Sequence, residues 1–246
     1  LPYVGCGTMA SSLTMDKEKT KQIWESANLP VVPYICARKF EAETEQGLSA
    51  LEEKSKNQFG YPVFVKPCCA GSSVGASKAA NKEEFEKSVK EAFSWDDKIL
   101  IEPFIKAREI ECSVIGNEKQ ISFIPCEILP THEFYDYEAK YKDPDGASFS
   151  IPANLNEEQI AQVKSIAEKA YKVLDASGLS RVDFFIDKDN GNLMLNEINT
   201  MPGFTPISMF PQMCNAGGLK YADIIEELIK LGTNRFEKKR ELLTSR

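Results

Sequence analysis

The chain has 246 residues, 42% hydrophobic and 27% charged, which suffices for a packed core and excludes wholesale disorder. A net charge of −7 argues against sequence-independent nucleic-acid binding, and no apolar run approaches the roughly 20 residues of a membrane span. Seven scattered cysteines and a single histidine disfavour a disulfide framework, a zinc ribbon and most catalytic triads, and unpaired thiols predict a cytosolic protein.

The first part of the chain alternates helices and short strands. In chain order the predicted elements are a helix (16–28), a strand (31–36), a helix (41–59), a strand (61–66) and a small-residue loop (70–75), here called the glycine loop. Asn81 is the predicted N-cap of a further helix, with Glu84 as its capping-box partner. The side chains of Phe85, Val89 and Phe93 would form the buried stripe of that helix.

From Lys98 onward, antiparallel hairpins are more frequent. The predicted elements are a strand (99–101), a hairpin (111–124), a long loop (130–154), a helix (156–176), a second hairpin (180–199) and a mostly helical end. The loop is too long for a simple connection, so we expect a lid. This order predicts an α+β fold in two lobes that divide near Glu102, with residues 1–102 in one lobe and 103–246 in the other.

The second hairpin carries the most informative polar residues. One face of it is predicted to hold Arg181, Asp183, Leu195, Glu197 and Asn199. If the turn centres near Asn190, Asp183 lies opposite Glu197, and Arg181 lies opposite Asn199. Oxygen ligands without His or Cys suit Mg²⁺, whose usual co-ligands are phosphate oxygens. A solvated hairpin face is the alternative, but directly opposed carboxylates repel unless a cation neutralises them.

A second group of residues is suited to a phosphate-bearing ligand. The small residues of the glycine loop let backbone N–H groups approach phosphate oxygens, although the chain has no Walker A loop. Lys17, Lys66 and Lys140 are candidate phosphate cations, and Lys66 stands out because it ends a strongly apolar strand. Glu102 and Glu109 flank an apolar triplet that could hold an adenine and a ribose, with two exposed glutamates as the alternative.

Taken together, these segments resemble the D-alanine–D-alanine ligases of the ATP-grasp superfamily, from Leu1 to about Leu231. The resemblance is carried by Met15-Asp16-Lys17, Val65-Lys66-Pro67 with Gly71-Ser72-Ser73-Val74-Gly75, Phe134 to Tyr141, and Asn196 to Thr205. The segment from Phe134 to Tyr141 is close to diagnostic. The resemblance implies an α+β ATP-grasp fold, in which two lobes hold ATP between them.

The resemblance also implies roles for individual residues. For ATP the implied residues are Lys17, Lys66, Lys140, Ser72 and Ser73 near the phosphates, Glu102 and the backbone near Ile105 at adenine, and Glu109 at the ribose, with Leu195 as a further cofactor-binding residue. Two Mg²⁺ ions, with Mn²⁺ as an alternative, would be held by Asp183, Glu197 and Asn199. The catalytic and substrate-binding residues would be Arg181 and Gly203 at the oxyanion, Ser208 and Met209 at the second carboxylate, and Ser72 with Tyr141 ordering the lid.

The implied reaction joins two D-alanine molecules through a D-alanyl phosphate, at the expense of ATP, for peptidoglycan precursors. The resemblance admits a homodimer. The family carries a domain ahead of the segment that begins at Leu1, and that domain completes the first D-alanine site, so we expect the chain to bind nucleotide but to ligate poorly by itself. The alternatives are a D-alanine–D-serine or D-alanine–D-lactate ligase, and a nucleotide-binding module without full activity. Tyr141 favours D-alanine as the second substrate.

Overall fold

The computed structural model describes residues 1–130, 147–205 and 208–243, whose strands form two antiparallel sheets. The first sheet has the spatial order β1 (Ile35–Arg38), β4 (Lys98–Pro103), β2 (Val63–Pro67) and β3 (Ser77–Ala79). A 3₁₀ turn (Lys39–Ala42) follows β1, and helices α3 (Glu45–Phe59) and α4 (Lys82–Trp95) share a hydrophobic core with this sheet. This layer is one wall of the site described below.

Helix α4 begins where the capping signal predicted. The Asn81 side chain accepts a hydrogen bond from the Glu84 N–H at 3.0 Å, which satisfies one of the free donors of the first turn. The Glu84 carboxylate accepts a hydrogen bond from the Ala80 N–H at 2.8 Å, one residue ahead of the Asn81 N–H that a capping box would use. The predicted stripe of Phe85, Val89 and Phe93 is confirmed, because all three are buried against the first sheet.

The second sheet is larger and follows the first in sequence. Its spatial order is β10 (Leu193–Asn199), β9 (Gly178–Asp187), β5 (Ala107–Gly116), β7 (Cys126–Pro130) and β8 (Ala147–Ser150), and β6 (Gln120–Ser122) also pairs with β5. Helices α5 (Glu157–Val173), α6 (Met209–Ala216) and α7 (Tyr221–Arg240) pack on it. The two predicted hairpins and the predicted helix start at Asn156 are confirmed.

The N-terminal segment packs mainly on the second core. It forms α1 (Thr8–Met15), which the sequence did not predict, and α2 (Lys17–Ser26). Trp24 of α2 is fully buried and its indole N–H donates to the Ala170 carbonyl at 3.1 Å. Trp24 and Leu29 belong to the core of the second sheet, although residues 1–102 were expected to form the other lobe. The lobe boundary near Glu102 itself stays a prediction.

Two predicted boundaries differ from the structure. The strand expected over 31–36 begins at Ile35, because prolines flank Val31 and Val32 and cannot donate ladder hydrogen bonds. Val31 instead makes an isolated parallel bridge to Leu195. The long loop expected over 130–154 contains β8, which pairs with β7, and residues 131–146 lie outside the described residues.

The β9–β10 hairpin has a register shift at the point where its polar residues lie. It contains the predicted pairs Asp183–Glu197 and Arg181–Asn199. The register shifts between Leu195 and Glu197, so Asn196 is an extra residue in β10. The prediction that Leu195 shares the face of Glu197 is therefore wrong. Leu195 is fully buried, together with Ile198, in the core of the second sheet.

All seven cysteines are free thiols, as the sequence predicted. Burial raises the pKa of the Cys112 thiol to about 12, so this thiol stays protonated and chemically quiet. None of the helices in the described residues combines the length and the apolar character that crossing a membrane requires.

The two tryptophans provide a test of where the N-terminal segment packs. Replacing the buried Trp24 with Ala should lower the free energy of unfolding by about 3–5 kcal/mol, because it opens a cavity in the second core. Trp95 is 59% exposed, so Trp95→Ala should cost less than about 1 kcal/mol. Urea denaturation of both variants measures the difference, and an equal loss of unfolding free energy in the two would contradict the packing of Trp24 in the second core.

Candidate active site

A cleft of about 1150 Å³ lies between the two sheets. The predicted residues that line it are Lys17, Lys66, Ser72, Ser73, Glu102, Ile105, Glu109 and Glu197. Met194, which the sequence did not single out, lines the cleft, whereas Leu195, predicted to bind the cofactor, is fully buried in the second core. The volume and the mixture of apolar and charged walls suit a ligand of nucleotide size.

The glycine loop forms part of the cleft wall in a strained conformation. Ser72 and Ser73 have φ angles of 53° and 61°, and Gly75 has a φ of 69°. Left-handed backbone is uncommon for residues other than glycine and is concentrated at functional sites. The loop is held by Lys17, whose ammonium donates to the Ala70 carbonyl at 2.6 Å. The predicted cation and the predicted loop are therefore in direct contact.

Lys66 lies at the floor of the cleft within an ion cluster that includes an unpredicted lysine. The Lys66 ammonium is 2.8 Å from Glu102 Oε2, and Lys21 Nζ of α2 is 2.9 Å from Glu102 Oε1. Lys66 also donates to Asn196 Oδ1, at the extra residue of β10, at 3.1 Å. Both oxygens of Glu102 thus lie within ion-pairing distance of lysine ammonium groups. The role predicted for Glu102 at the adenine stays a prediction.

The protonation of this cluster follows from its burial and its charges. Burial alone would raise the pKa of Glu102, but Lys21 and Lys66 outweigh it and hold that pKa below its usual value. Burial lowers the pKa of Lys21 to about 8, against the attraction of Glu102. At neutral pH Glu102 is therefore ionised and Lys21 is protonated. Neither charge is exposed to solvent.

A row of carboxylates crosses three neighbouring strands of the second sheet. Glu111 of β5 lies opposite Asp183 of β9, which lies opposite Glu197 of β10. Arg181 crosses this row: its guanidinium makes two hydrogen bonds of 2.7 Å to Asp183 and approaches Glu111 Oε1 at 3.1 Å. Asn199 donates to Asp183 at 2.9 Å. Four of the five residues predicted to act at the metal and the oxyanion therefore lie together; the fifth, Gly203, follows β10.

The donor set fits a magnesium ion. Asp183, Glu197 and Asn199 offer carboxylate and amide oxygens, which hard divalent cations prefer. Within the described residues no three His, Cys, Asp or Glu side chains are grouped so that they could hold a metal ion, and one of the three predicted ligands, Asn199, is an amide. A smaller pocket is lined by Asn199 and Glu197 together with Lys17 and Ser72. The glycine loop and the end of β10 therefore face one space.

The segment after β10 returns to the same region. A Cβ placed on Gly203 would lie 3.1 Å from Ser208 Oγ, so these two predicted residues are neighbours. Ser208 precedes α6, and its hydroxyl accepts a hydrogen bond from the Thr205 N–H at 3.1 Å. Met209 Sδ is 3.6 Å from the thiol of Cys126, which lies opposite Glu111 in the sheet. The predicted second-carboxylate residues thus lie beside the carboxylate row.

Two predicted residues lie outside the described part of the chain. They are Lys140 and Tyr141, which belong to the segment from Phe134 to Tyr141. Their roles at the γ-phosphate and in ordering the lid stay predictions.

Arg108 makes a planar, two-point ion pair at the cleft wall. Its Nε and Nη2 atoms each donate to Glu127 at 2.7 Å, and Nη2 also donates to the Asn154 carbonyl at 2.7 Å. The hydrogen bonds from Arg108 hold the pKa of Glu127 below its usual value. This pair ties β5 to β7 and to the chain that leads into α5.

Known proteins match both the sequence and the fold. Residues 23–230 match the family model described as the D-ala D-ala ligase C-terminus. The D-alanine–D-alanine ligase of Treponema denticola is 54% identical over the whole chain, which covers 67% of that relative, and the ligase of Acetivibrio thermocellus is 47% identical over 96% of the chain and 62% of the relative. The chain spans about two thirds of the length of the curated relatives it matches.

Solved structures give the same result. The D-alanine–D-alanine ligase from Coxiella burnetii superposes with a TM-score of 0.83 at 34% identity, over 98% of this chain and 63% of that one. A D-Ala:D-Ser ligase from Enterococcus faecalis superposes with a TM-score of 0.81 at 34% identity, over 94% of this chain and 65% of that one. The fold is therefore the α+β ATP-grasp fold. Within it, the chain belongs to the D-alanine–D-alanine ligase family.

The strained glycine loop can be tested at one position. A Cβ on Gly75 would lie 2.5 Å from Trp95 Cδ1, and the residue has a positive φ, so Gly75→Ala should lower the free energy of unfolding by about 1–3 kcal/mol. Gly71, in the same loop, has open space around its Cβ position, so Gly71→Ala should change it by less than about 0.5 kcal/mol. Chemical denaturation compares the two, and a neutral Gly75→Ala would contradict the loop geometry.

The pair of Arg108 and Glu127 predicts a pH dependence of stability. Because the folded pKa of Glu127 is lowered, its contribution is present above the unfolded value of about 4.3 and is lost as the pH falls through the folded value. Glu127→Gln should therefore lower the free energy of unfolding by about 1–3 kcal/mol at pH 7, and by progressively less as the pH falls from about 4.3 toward the folded pKa. Glu118, whose pair with Lys238 is exposed, provides the control Glu118→Gln with a far smaller effect. A pH-independent cost for Glu127→Gln in urea unfolding would refute this assignment.

Proposed function

We propose that this chain is the ATP-binding and catalytic part of a ligase that joins two D-alanine molecules with ATP for peptidoglycan precursors. The observation that carries the proposal is the meeting of two charge systems at one cleft. Lys17 and Lys66 lie on the side of the first sheet, and the row of Asp183 and Glu197 lies on the second. Phosphate binding needs the cations, and phosphoryl transfer needs the carboxylates to hold Mg²⁺. Membership of the family supports the same reaction.

The nucleotide would lie along the cleft between the two sheets. Lys17 and Lys66 would bind the inner phosphates, Ser72 and Ser73 would line them, and Lys140 would reach the γ-phosphate. The adenine would lie near Ile105 and Met194, and Glu109 would bind the ribose. The positions of Ile105, Glu109 and Met194 on the cleft wall support this placement. Glu102 would act through Lys66, because its carboxylate is bound to lysines.

Asp183, Glu197 and Asn199 would hold two Mg²⁺ ions, or Mn²⁺ in their place, which supply positive charge to the transferring phosphate. In the ligand-free chain Arg181 already neutralises Asp183 through two hydrogen bonds. Burial alone would lower the pKa of Arg181, but Asp183 and Glu111 outweigh it and hold that pKa well above its usual value. Arg181 therefore remains a cation, and Glu111 can retain it when Asp183 turns to another partner.

The chemistry needs no protein nucleophile. The carboxylate of the first D-alanine would attack the γ-phosphorus, giving ADP and an acyl phosphate. The amine of the second D-alanine would then attack the carbonyl carbon, and inorganic phosphate would leave with the C–O bond electrons. Arg181 and the Gly203 N–H would stabilise the oxyanion between these steps. Ser208 and the Met209 backbone would bind the carboxylate of the second D-alanine, and Ser72 with Tyr141 would order the lid that excludes water.

The assignment is tested by product formation. The protein, with any residues that precede Leu1 in its natural form, is incubated with ATP, Mg²⁺ and D-alanine, and phosphate release and dipeptide are measured. Glu197→Gln should lower turnover by at least about a hundredfold, because a ligand of the phosphate-bound metal is lost. Glu118→Gln, at an exposed ion pair, should leave turnover unchanged. Nucleotide binding without any D-alanine-dependent phosphate release would indicate a binding module instead.

The second substrate is resolved in the same assay. The likeness to a D-Ala:D-Ser ligase at a TM-score of 0.81 makes D-serine the second candidate. D-Serine and D-lactate are therefore each offered together with D-alanine, and the mixed and homogeneous products are separated by mass. We expect D-alanyl-D-alanine to predominate at neutral pH. Preferential formation of the D-serine or D-lactate product would replace the proposed substrate. The homodimer and the cytosolic location stay predictions.

A further inference from the structure

We propose that Lys21 is a positioning residue for nucleotide binding, because its buried ammonium keeps Glu102 neutralised and so leaves the charge of Lys66 available to a phosphate. The inference rests on the proposed function in one respect, the phosphate role of Lys66. It assigns a purpose to a lysine that reaches no surface and that the reaction described above does not use.

Lys21 is buried to an extent that an ammonium group tolerates only with partners. Its side chain has no exposed surface, and its Nζ atom donates to the Val32 carbonyl at 2.8 Å and pairs with Glu102 at 2.9 Å. The ring of Tyr34 lies 5.4 Å from the same nitrogen. An unpaired ammonium at this depth would be strongly unfavourable. The ion pair with Glu102 therefore compensates the charge of the buried Lys21 ammonium.

Glu102 is shared between two cations. Its other oxygen is 2.8 Å from the Lys66 ammonium, and its side chain is 3% exposed. Two lysines and one carboxylate leave a net charge of +1, and of the two lysines it is Lys66 that lines the cleft, together with Glu102. The uncompensated charge therefore lies where an anion can approach it. Without Lys21, Lys66 and Glu102 would form a neutral pair, and a phosphate could recruit Lys66 only by leaving Glu102 buried and unpaired.

The cluster also joins elements from both sides of the cleft. Lys21 belongs to α2, which packs on the second core through Trp24, whereas Glu102 and Lys66 belong to β4 and β2 of the first sheet. Lys66 reaches back to the second sheet at Asn196. The position of the Lys66 ammonium is thus fixed from both sheets at once, which is what a group that places a phosphate between them requires.

The proposed role of Lys21 predicts that nucleotide affinity depends on pH. A lysine with a purely structural role would not cause such a dependence. Burial lowers the pKa of Lys21 to about 8, so its charge is lost within the range of ordinary buffers. The groups that face it are Glu102 from β4, Lys66 from β2, Glu25 from its own helix and the Tyr34 ring. Nucleotide affinity should therefore fall as the pH rises through about 8, and Lys21→Arg should abolish that dependence.

The test is calorimetric binding of ADP with Mg²⁺ to the protein and its variants. Lys21→Met should weaken ADP binding by at least about tenfold, or about 1.4 kcal/mol, because Glu102 then retains Lys66. The double variant Lys21→Met with Glu102→Gln should bind ADP more tightly than Lys21→Met alone, because Lys66 is released. The double variant also removes both buried charges, so it reports on the idea even if Lys21→Met folds poorly. The KM for ATP should rise in Lys21→Met while the KM for D-alanine stays unchanged.

Lys169→Met is the matched control. Lys169 also binds α2 through its ammonium, donating to the Ala27 carbonyl at 2.9 Å, but it lies at the other end of the helix. This variant should leave ADP affinity unchanged. A folded Lys21→Met variant with wild-type ADP affinity would overturn the inference about Lys21 and leave the proposed function intact. A double variant that binds ADP no more tightly than Lys21→Met would do the same. Failure of the unmodified protein to bind ADP would instead overturn the proposed function.

Discussion

The extra residue at Asn196 is the constraint on which the arrangement of the site depends. It changes the register of β10 by one position, so Leu195 and Ile198 face the core while Asn196 and Glu197 face the cleft. A regular strand would bring only one of those two polar side chains to the cleft. The bulge therefore places Asn196, which accepts a hydrogen bond from Lys66, next to Glu197 of the carboxylate row.

Charged side chains form two groups of opposite net charge at the cleft. In the first group, Glu102 lies between Lys66 of the first sheet and Lys21 of α2, so these three side chains carry a net positive charge. In the second group, on the second sheet, Arg181 lies among three carboxylates, so these four side chains carry a net negative charge. A triphosphate with its metal ions has the complementary order of charges. A buried side chain contributes to each net charge, Lys21 in the first group and Glu111 in the second. Neither residue has a direct role in the proposed reaction.

Sequence reasoning succeeded where a local rule determines the structure. The cap at Asn81 and the pairs of the second hairpin follow from hydrogen-bonding chemistry and the period of two in a strand. The same reasoning placed Leu195 on the wrong face of β10, because a bulge reverses the alternation of side chains between the two faces. No sequence pattern in β10 indicates that bulge. It also missed Lys21, whose partner Glu102 lies 81 residues away. The one available signal was its position three residues before Trp24, on the buried stripe of α2. The roles of Lys140 and Tyr141 stay predictions, because both residues lie outside the described part of the chain.

The contact between Trp95 and the glycine loop gives the molecule a built-in optical reporter. The indole of Trp95 packs where a Cβ of Gly75 would lie and is more than half exposed, so its fluorescence responds to any shift of that loop and to the solvent that follows. The other indole, Trp24, is sealed in the second core and supplies a constant background. Emission from the unlabelled chain can therefore follow the loop in real time during ligand entry.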